Sequence, residues 1–199
     1  MIRLAQLAHW SPRLFVLPLV AGLASCSQSP AAPTIESAVG AGGQVSSQQL
    51  PWLIQATVAT TPAPPPAGCL AYFTSVIEGT ATHLGRFTGT GSTCITDQVA
   101  PDPSPPFTPA GPGPYATAQF TNPRWTLVAA NGDELWLEAP EAVGVFSLAN
   151  MAFKAQGRQV IVGGTGRFDN ATGEAQVGAL NDGTQPADDF SGRGWIRFR

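Results

Sequence analysis

Gln159-Val160-Ile161-Val162-Gly163-Gly164-Thr165-Gly166-Arg167-Phe168-Asp169-Asn170-Ala171-Thr172-Gly173 changes character twice within a short span. Val160, Ile161 and Val162 are β-branched and suit a pleated, half-buried surface. Gly163, Gly164 and Gly166 interrupt the run where the backbone needs positive φ or a close approach to another segment. Phe168 follows as an apolar anchor, and Asp169-Asn170 supplies turn chemistry before extended structure resumes near Gly173. The order is strand, tight corner, packed aromatic, turn, strand. Gly163, Gly164, Gly166, Arg167 and Phe168 therefore read as structural punctuation in an all-β domain. A phosphate-binding loop would need these glycines to open onto a helix N-terminus, and the residues after them read as turn and strand.

On either side of this corner lie more short extended segments. Residues 70–78, 83–92, 116–121, 124–129, 134–137, 143–155, 173–180 and 192–198 are strand candidates, and 143–155 is either one long strand or broken near Asn150. Asn131-Gly132 between two apolar runs predicts a hairpin with a type I′ turn. No segment sustains a helical stripe. Strands at this spacing fit a sandwich or a barrel; glycines that let a sheet curl, and the protection that closure gives to edges, favour a closed antiparallel barrel of about eight strands.

The chain has 22 Gly and 19 Pro, and only 12% of its 199 residues are charged, against about 25% in ordinary domains. Part of that bias lies at the N-terminus. Arg3 and Arg13 precede an apolar run from Leu14 to Leu23, too short for the ~20 residues that span a bilayer. The run ends in Leu23-Ala24-Ser25-Cys26, which resembles the lipobox of bacterial lipoproteins. The resemblance makes residues 1–25 a signal peptide and Cys26 the lipidated first residue of the mature chain, with an ordinary cleaved leader as the alternative. Ser27 after the Cys resembles outer-membrane sorting in a Gram-negative envelope. Residues 26–68, rich in Pro, Gly and Ser, read as a flexible tether, although Trp52 to Val58 also fits a strand or a loop that packs on the domain. Residues 69–199 read as the barrel domain, with seven prolines in an insertion loop at 101–114 that is expected to be mobile.

Lys154 is the only lysine and basic residues do not cluster, which argues against nucleic acid as a partner. With Cys26 lipidated, Cys69 and Cys94 remain as a pair, expected to be a disulfide outside the cytoplasm and worth roughly 3 kcal/mol. Two free thiols are the alternative. The spacing matches no zinc motif, so no metal or other cofactor is expected.

His83-Leu84-Gly85-Arg86-Phe87, Ala129-Ala130-Asn131-Gly132-Asp133, and Gly163-Gly164-Thr165-Gly166-Arg167-Phe168 with Ala171-Thr172-Gly173 together resemble the allene oxide cyclase barrel-like and dirigent-like family. The resemblance covers about residues 69–199 in the family's order, and the insertion at 101–114 departs from it. It implies an eight-stranded barrel with a central cavity, often trimeric. Family members include cofactor-independent cyclases of fatty-acid epoxides and proteins that steer phenol coupling.

The chemistry-bearing residues are few. Glu78 and His83 lie near one strand end and are the candidates for general acid–base work, against a hydrogen-bonding support role for the histidine. Asp133 and Glu134 read as solvated turn residues, and Asp182, Asp188 and Asp189 as a solvated loop, against a Ca²⁺ site for which the EF-hand spacing is missing. Trp125, Trp136, Trp195, Phe73, Phe87 and Phe168 either pack a core or line a cavity for an apolar ligand.

The leading functional expectation is a lipid-anchored barrel of the bacterial envelope, non-enzymatic, that binds a small apolar ligand or another envelope component. The alternatives are a cofactor-independent isomerase or cyclase of a lipid-like substrate and a structural protein that oligomerises through an apolar face. An accessible interior with an inward carboxylate favours the isomerase, one without ionisable groups favours the binder, and a filled interior favours the structural protein.

Overall fold

The computed structural model describes residues 48–97, 100–108 and 110–198, so Cys26 and the leader lie outside the described residues. Nine strands run in chain order: β1 (Leu50–Ala63), β2 (Ala71–Ala81), β3 (Gly85–Ile95), β4 (Ala100–Pro101), β5 (Tyr115–Ala129), β6 (Glu134–Ser147), β7 (Phe153–Gly164), β8 (Thr172–Asn181) and β9 (Asp188–Arg197). All pairings are antiparallel. β1 lies between β2 and β9, and β3 pairs with β5, so eight strands close into an up-and-down barrel. The two-residue β4 only adds to the end of β5. Closure leaves the eight long strands without a free edge.

The tether expected over residues 26–68 is corrected at its C-terminal end. Residues 50–63 form a barrel strand, so the domain starts well before Cys69. Alternation explains why: Trp52, Ile54 and Val58 are buried, while Leu53, Gln55 and Thr57 are exposed. Two prolines disguised the strand. Pro51 pairs with β9 before the β2 ladder begins at Ile54, and Pro62 pairs with β2 after the β9 ladder ends at Val58. Each therefore stands where the strand is paired on one side only, the position a residue without an N–H tolerates.

β5 unites the two short strands expected at 116–121 and 124–129. Asn122, with φ of 44°, and Pro123 mark the join, and both flanking ladders skip these residues. On β6 the ladder also breaks between Glu138 and Glu141. Residues 143–155 divide at a turn between Ser147 and Phe153. The Asn131-Gly132 hairpin forms, but its turn differs from type I′. Only Gly132 has positive φ (88°), and the Ala129 N–H donates to the Asp133 carbonyl, leaving a three-residue loop. That is the type I turn plus left-handed glycine found in three-residue hairpins.

The barrel is filled at one end. Trp52, Ile54, Ile77, Leu127, Leu135, Leu137, Phe168 and Ile196 are each at most 2% exposed there. Each such side chain contributes about 1.5–3 kcal/mol. The glycine corner closes this end as expected: Gly166–Phe168 forms one 3-10 turn, and Phe168 is fully buried. Arg167 Nη2 donates to the Leu84 carbonyl at 3.3 Å and Nε lies 3.5 Å from Asp133, so one guanidinium joins the β2–β3 turn to the β5–β6 hairpin. Asp133 is therefore an organiser of the corner, which corrects its reading as a solvated turn residue. It also accepts from the Asn131 amide at 2.8 Å.

The outer face carries ion pairs, Arg124–Glu138 at 3.2 Å and Arg158–Glu174 at 3.6 Å. Leu53, Val76, Trp136, Val162 and Leu180 are exposed on the same outer face, so it mixes charged and apolar side chains.

Candidate functional site

Above the filled end the interior opens into a cavity of about 470 Å³. That is within the range of small-molecule sites. Trp125 of β5 and Phe190 of β9 make its floor. These strands stand opposite each other in the barrel, and the two rings meet across the lumen with centroids 6.3 Å apart. Trp125 lies over Gly91 of the neighbouring β3, where a methyl group would collide with the indole. Phe120, Phe146 and Phe153 build one wall, with centroid separations of 6.1 Å and 4.7 Å about Phe153. Gly144 leaves the room in which Phe120 and Phe153 approach each other. Ile95 adjoins this wall as the partner of Phe120, and Phe73 of β2 lines the side across from Phe153.

Asp188 is the only ionisable residue among the described residues that line this cavity. It opens β9 and shares the inward parity of Phe190, so it stands on the cavity wall, which corrects its reading as part of a solvated loop. Asn181, at the end of β8, donates to Asp188 Oδ1 at 3.0 Å and to the carbonyls of Gln185 and Ala187 at 3.1 and 3.3 Å. Its own Oδ1 accepts from the Gly183 N–H at 2.8 Å. Asn181 thus ties the β8–β9 loop and spends its donors doing so. Oδ2 of Asp188 has no hydrogen-bond partner among the described residues. Burial pushes the Asp188 carboxyl above the ordinary carboxylate range, the Asn181 bond opposes this, and the neighbouring Asp189 charge adds to it. Asp182 behaves as a loop residue: hydrogen bonds from Thr184 hold its carboxyl below the usual value.

The mouth is framed by the loops at this end. Cys69 and Cys94 form a disulfide that fastens the β1–β2 loop to β3 across a sequence separation of 25, as expected. Met151 of the β6–β7 turn and Gln185 of the β8–β9 loop reach the cavity. The proline-rich segment does not cover it. Its described residues pack outside, against β5, β6 and β7, which corrects the expectation of a mobile loop. The Ser147 hydroxyl donates to the Pro112 carbonyl at 2.5 Å, and Lys154 Nζ donates to the Thr108 carbonyl at 3.3 Å and lies over the Phe107 ring. Val145, Ser147 and Ala152 are fully buried in this region. Asp102 starts the strap, accepting from the Thr117 hydroxyl at 2.6 Å and the Ser104 N–H at 2.8 Å.

Glu78 and His83 do not come together at the cavity. Glu78 is exposed on the outer face of β2, opposite Thr57 and Thr88. His83 sits in the β2–β3 turn at the filled end, with φ of 65°, its Nε2 3.1 Å from the Pro51 carbonyl and its ring edge-on to Phe198. That is the support role weighed against catalysis. The six aromatic residues divide: Phe87 and Phe168 pack the core, Phe73 and Trp125 line the cavity, and Trp136 and Trp195 lie outside. Phe120, Phe146, Phe153 and Phe190 were missed as lining residues. Inward parity along β5, β6, β7 and β9 is the signal that marks them.

No family model, curated protein or solved structure matches the chain significantly.

Proposed function

We propose that this chain is an envelope lipoprotein, anchored through Cys26, whose barrel binds a small apolar molecule in its half-open interior. The observation that carries the reading is the 470 Å³ cavity with six aromatic side chains in its lining. A structural protein that used the barrel only as a spacer would fill this volume, since voids of that size cost stability. Leu70, Leu148 and Met151, exposed by 46–67% in the loops at the same end, add apolar surface beside the mouth. The lipobox residues 23–26 support the anchor, and the barrel with an internal cavity is what the allene oxide cyclase-like and dirigent-like resemblance implies. The trimer belongs to the same resemblance.

Asp188 favours a second reading, a cofactor-independent isomerase or cyclase of a lipid-like substrate. A carboxyl held above its ordinary range on an apolar wall is suited to proton transfer. Native mass spectrometry of the protein purified from its own cells tests both. A retained molecule identifies the ligand class, and its conversion on incubation with fresh protein, lost in Asp188→Asn, marks the isomerase. A clean apo mass and an intact Cys26 thiol would overturn the proposal.

A further inference from the structure

The cavity has a chemically lopsided lining. Its described residues include no Lys, Arg or His, and Asp188 supplies the only formal charge. The hydroxyls of Thr60 and Ser75 face each other at 3.4 Å, and Asn181 has its amide donors engaged by Asp188 and the β8–β9 loop. An entering anion would meet a carboxyl and no cation, and its desolvation would go uncompensated. An entering ammonium would meet the free Oδ2 of Asp188 within a lining of six aromatic side chains, whose π systems tolerate positive charge.

The geometry points to an apolar ligand that carries one basic nitrogen, with its ammonium group against Asp188 Oδ2 and its hydrocarbon body directed down toward Trp125 and Phe190. This rests on the cavity being a ligand site, as proposed above, and names the head group that it selects. Val58 of β1 pairs with Asp188, and Asn181 at the end of β8 is hydrogen-bonded to it, so neither neighbour brings a competing cation. Asp189, next in the chain, is exposed and adds negative charge nearby. The mouth thus favours cations before they reach the wall.

A matched series tests it: decylamine, decanol and decanoate titrated calorimetrically into the full-length protein near pH 7, where the amine is protonated. The expected order is amine tightest and carboxylate weakest, with about tenfold or more between them. Asp188→Asn should bring the amine to within about threefold of decanol, and an unchanged β signal in circular dichroism reports that the variant is folded. Equal binding of all three, tighter binding of decanoate, or an amine preference that survives Asp188→Asn overturns the head-group assignment and leaves the cavity as a binding site. Failure of all three to bind overturns the cavity reading with it.

Discussion

Asp133 Oδ1 fills the space that a side chain on Gly166 would need, and Gly166 holds a φ of +57°. The two facts are independent, and both exclude a β-branched residue. Asp133 cannot simply swing away, because Asn131 and Arg167 hold it. Gly166→Val should cost about 2–4 kcal/mol, from left-handed strain and overpacking. Asp188→Ala, on the cavity wall, should change stability by less than about 1 kcal/mol. Urea unfolding of both variants checks the order.

The ring contact between Trp125 and Phe190 spans strands on opposite sides of the barrel. Phe190→Ala should therefore remove support from both sides at once. We expect a loss of about 2–4 kcal/mol, in the lower range for such truncations because the site already borders a cavity. The urea midpoint should fall, and Trp125 fluorescence should shift to the red as its ring meets water.

The Cys69–Cys94 link joins segments that also pair as β2 and β3, where Tyr72 faces Cys94. Reduction should lower stability by about 3 kcal/mol without unfolding the barrel, because the ladder survives the loss of the cross-link. Thermal melts with and without reductant, followed by the β signal in circular dichroism, measure the difference.

Asp188 also predicts a pH dependence. Its native pKa is raised above the ordinary aspartate value of about 3.9, first by burial. Between the unfolded and native values the folded chain holds more protons than the unfolded one, so stability falls as pH rises through that window. Below about 3.9 this contribution is fully present. Asp102 acts in the opposite sense, since its hydrogen bonds to Thr117 and then Ser104 lower its pKa, and what it contributes is lost as pH falls. The difference between the parent and Asp188→Asn, measured by urea midpoint from about pH 3 to about pH 7, isolates the Asp188 part. The variant should lose the decline.

Much of this barrel is legible in the residues, and the failures have physical causes. The corner at Gly163 to Phe168 was readable because glycine and aromatic each have one job there. Strand β1 is ambiguous in the sequence, where Trp52 to Val58 fits a strand but Pro51 and Pro62 flank it, because the tolerance of each proline depends on which neighbour pairs where, a tertiary fact. The strap over β5 and β6 was hidden for a related reason: proline excludes a central strand but not tight packing on a surface. Asp188 follows Asn181-Asp182-Gly183-Thr184, a run with the composition of a loop, and only its parity with Phe190 betrays an inward side chain. Glu78 and His83 resemble a chemical pair in the sequence, but one lies on the outer face and the other in a turn at the filled end.

The Trp125–Phe190 bridge has an evolutionary consequence. It separates a base that supplies the folding energy from a cup whose rim is built from connecting segments. Substitutions in the cup escape most of the stability threshold that constrains the base. A chain built this way can exchange one cargo for another while its foundation stays intact.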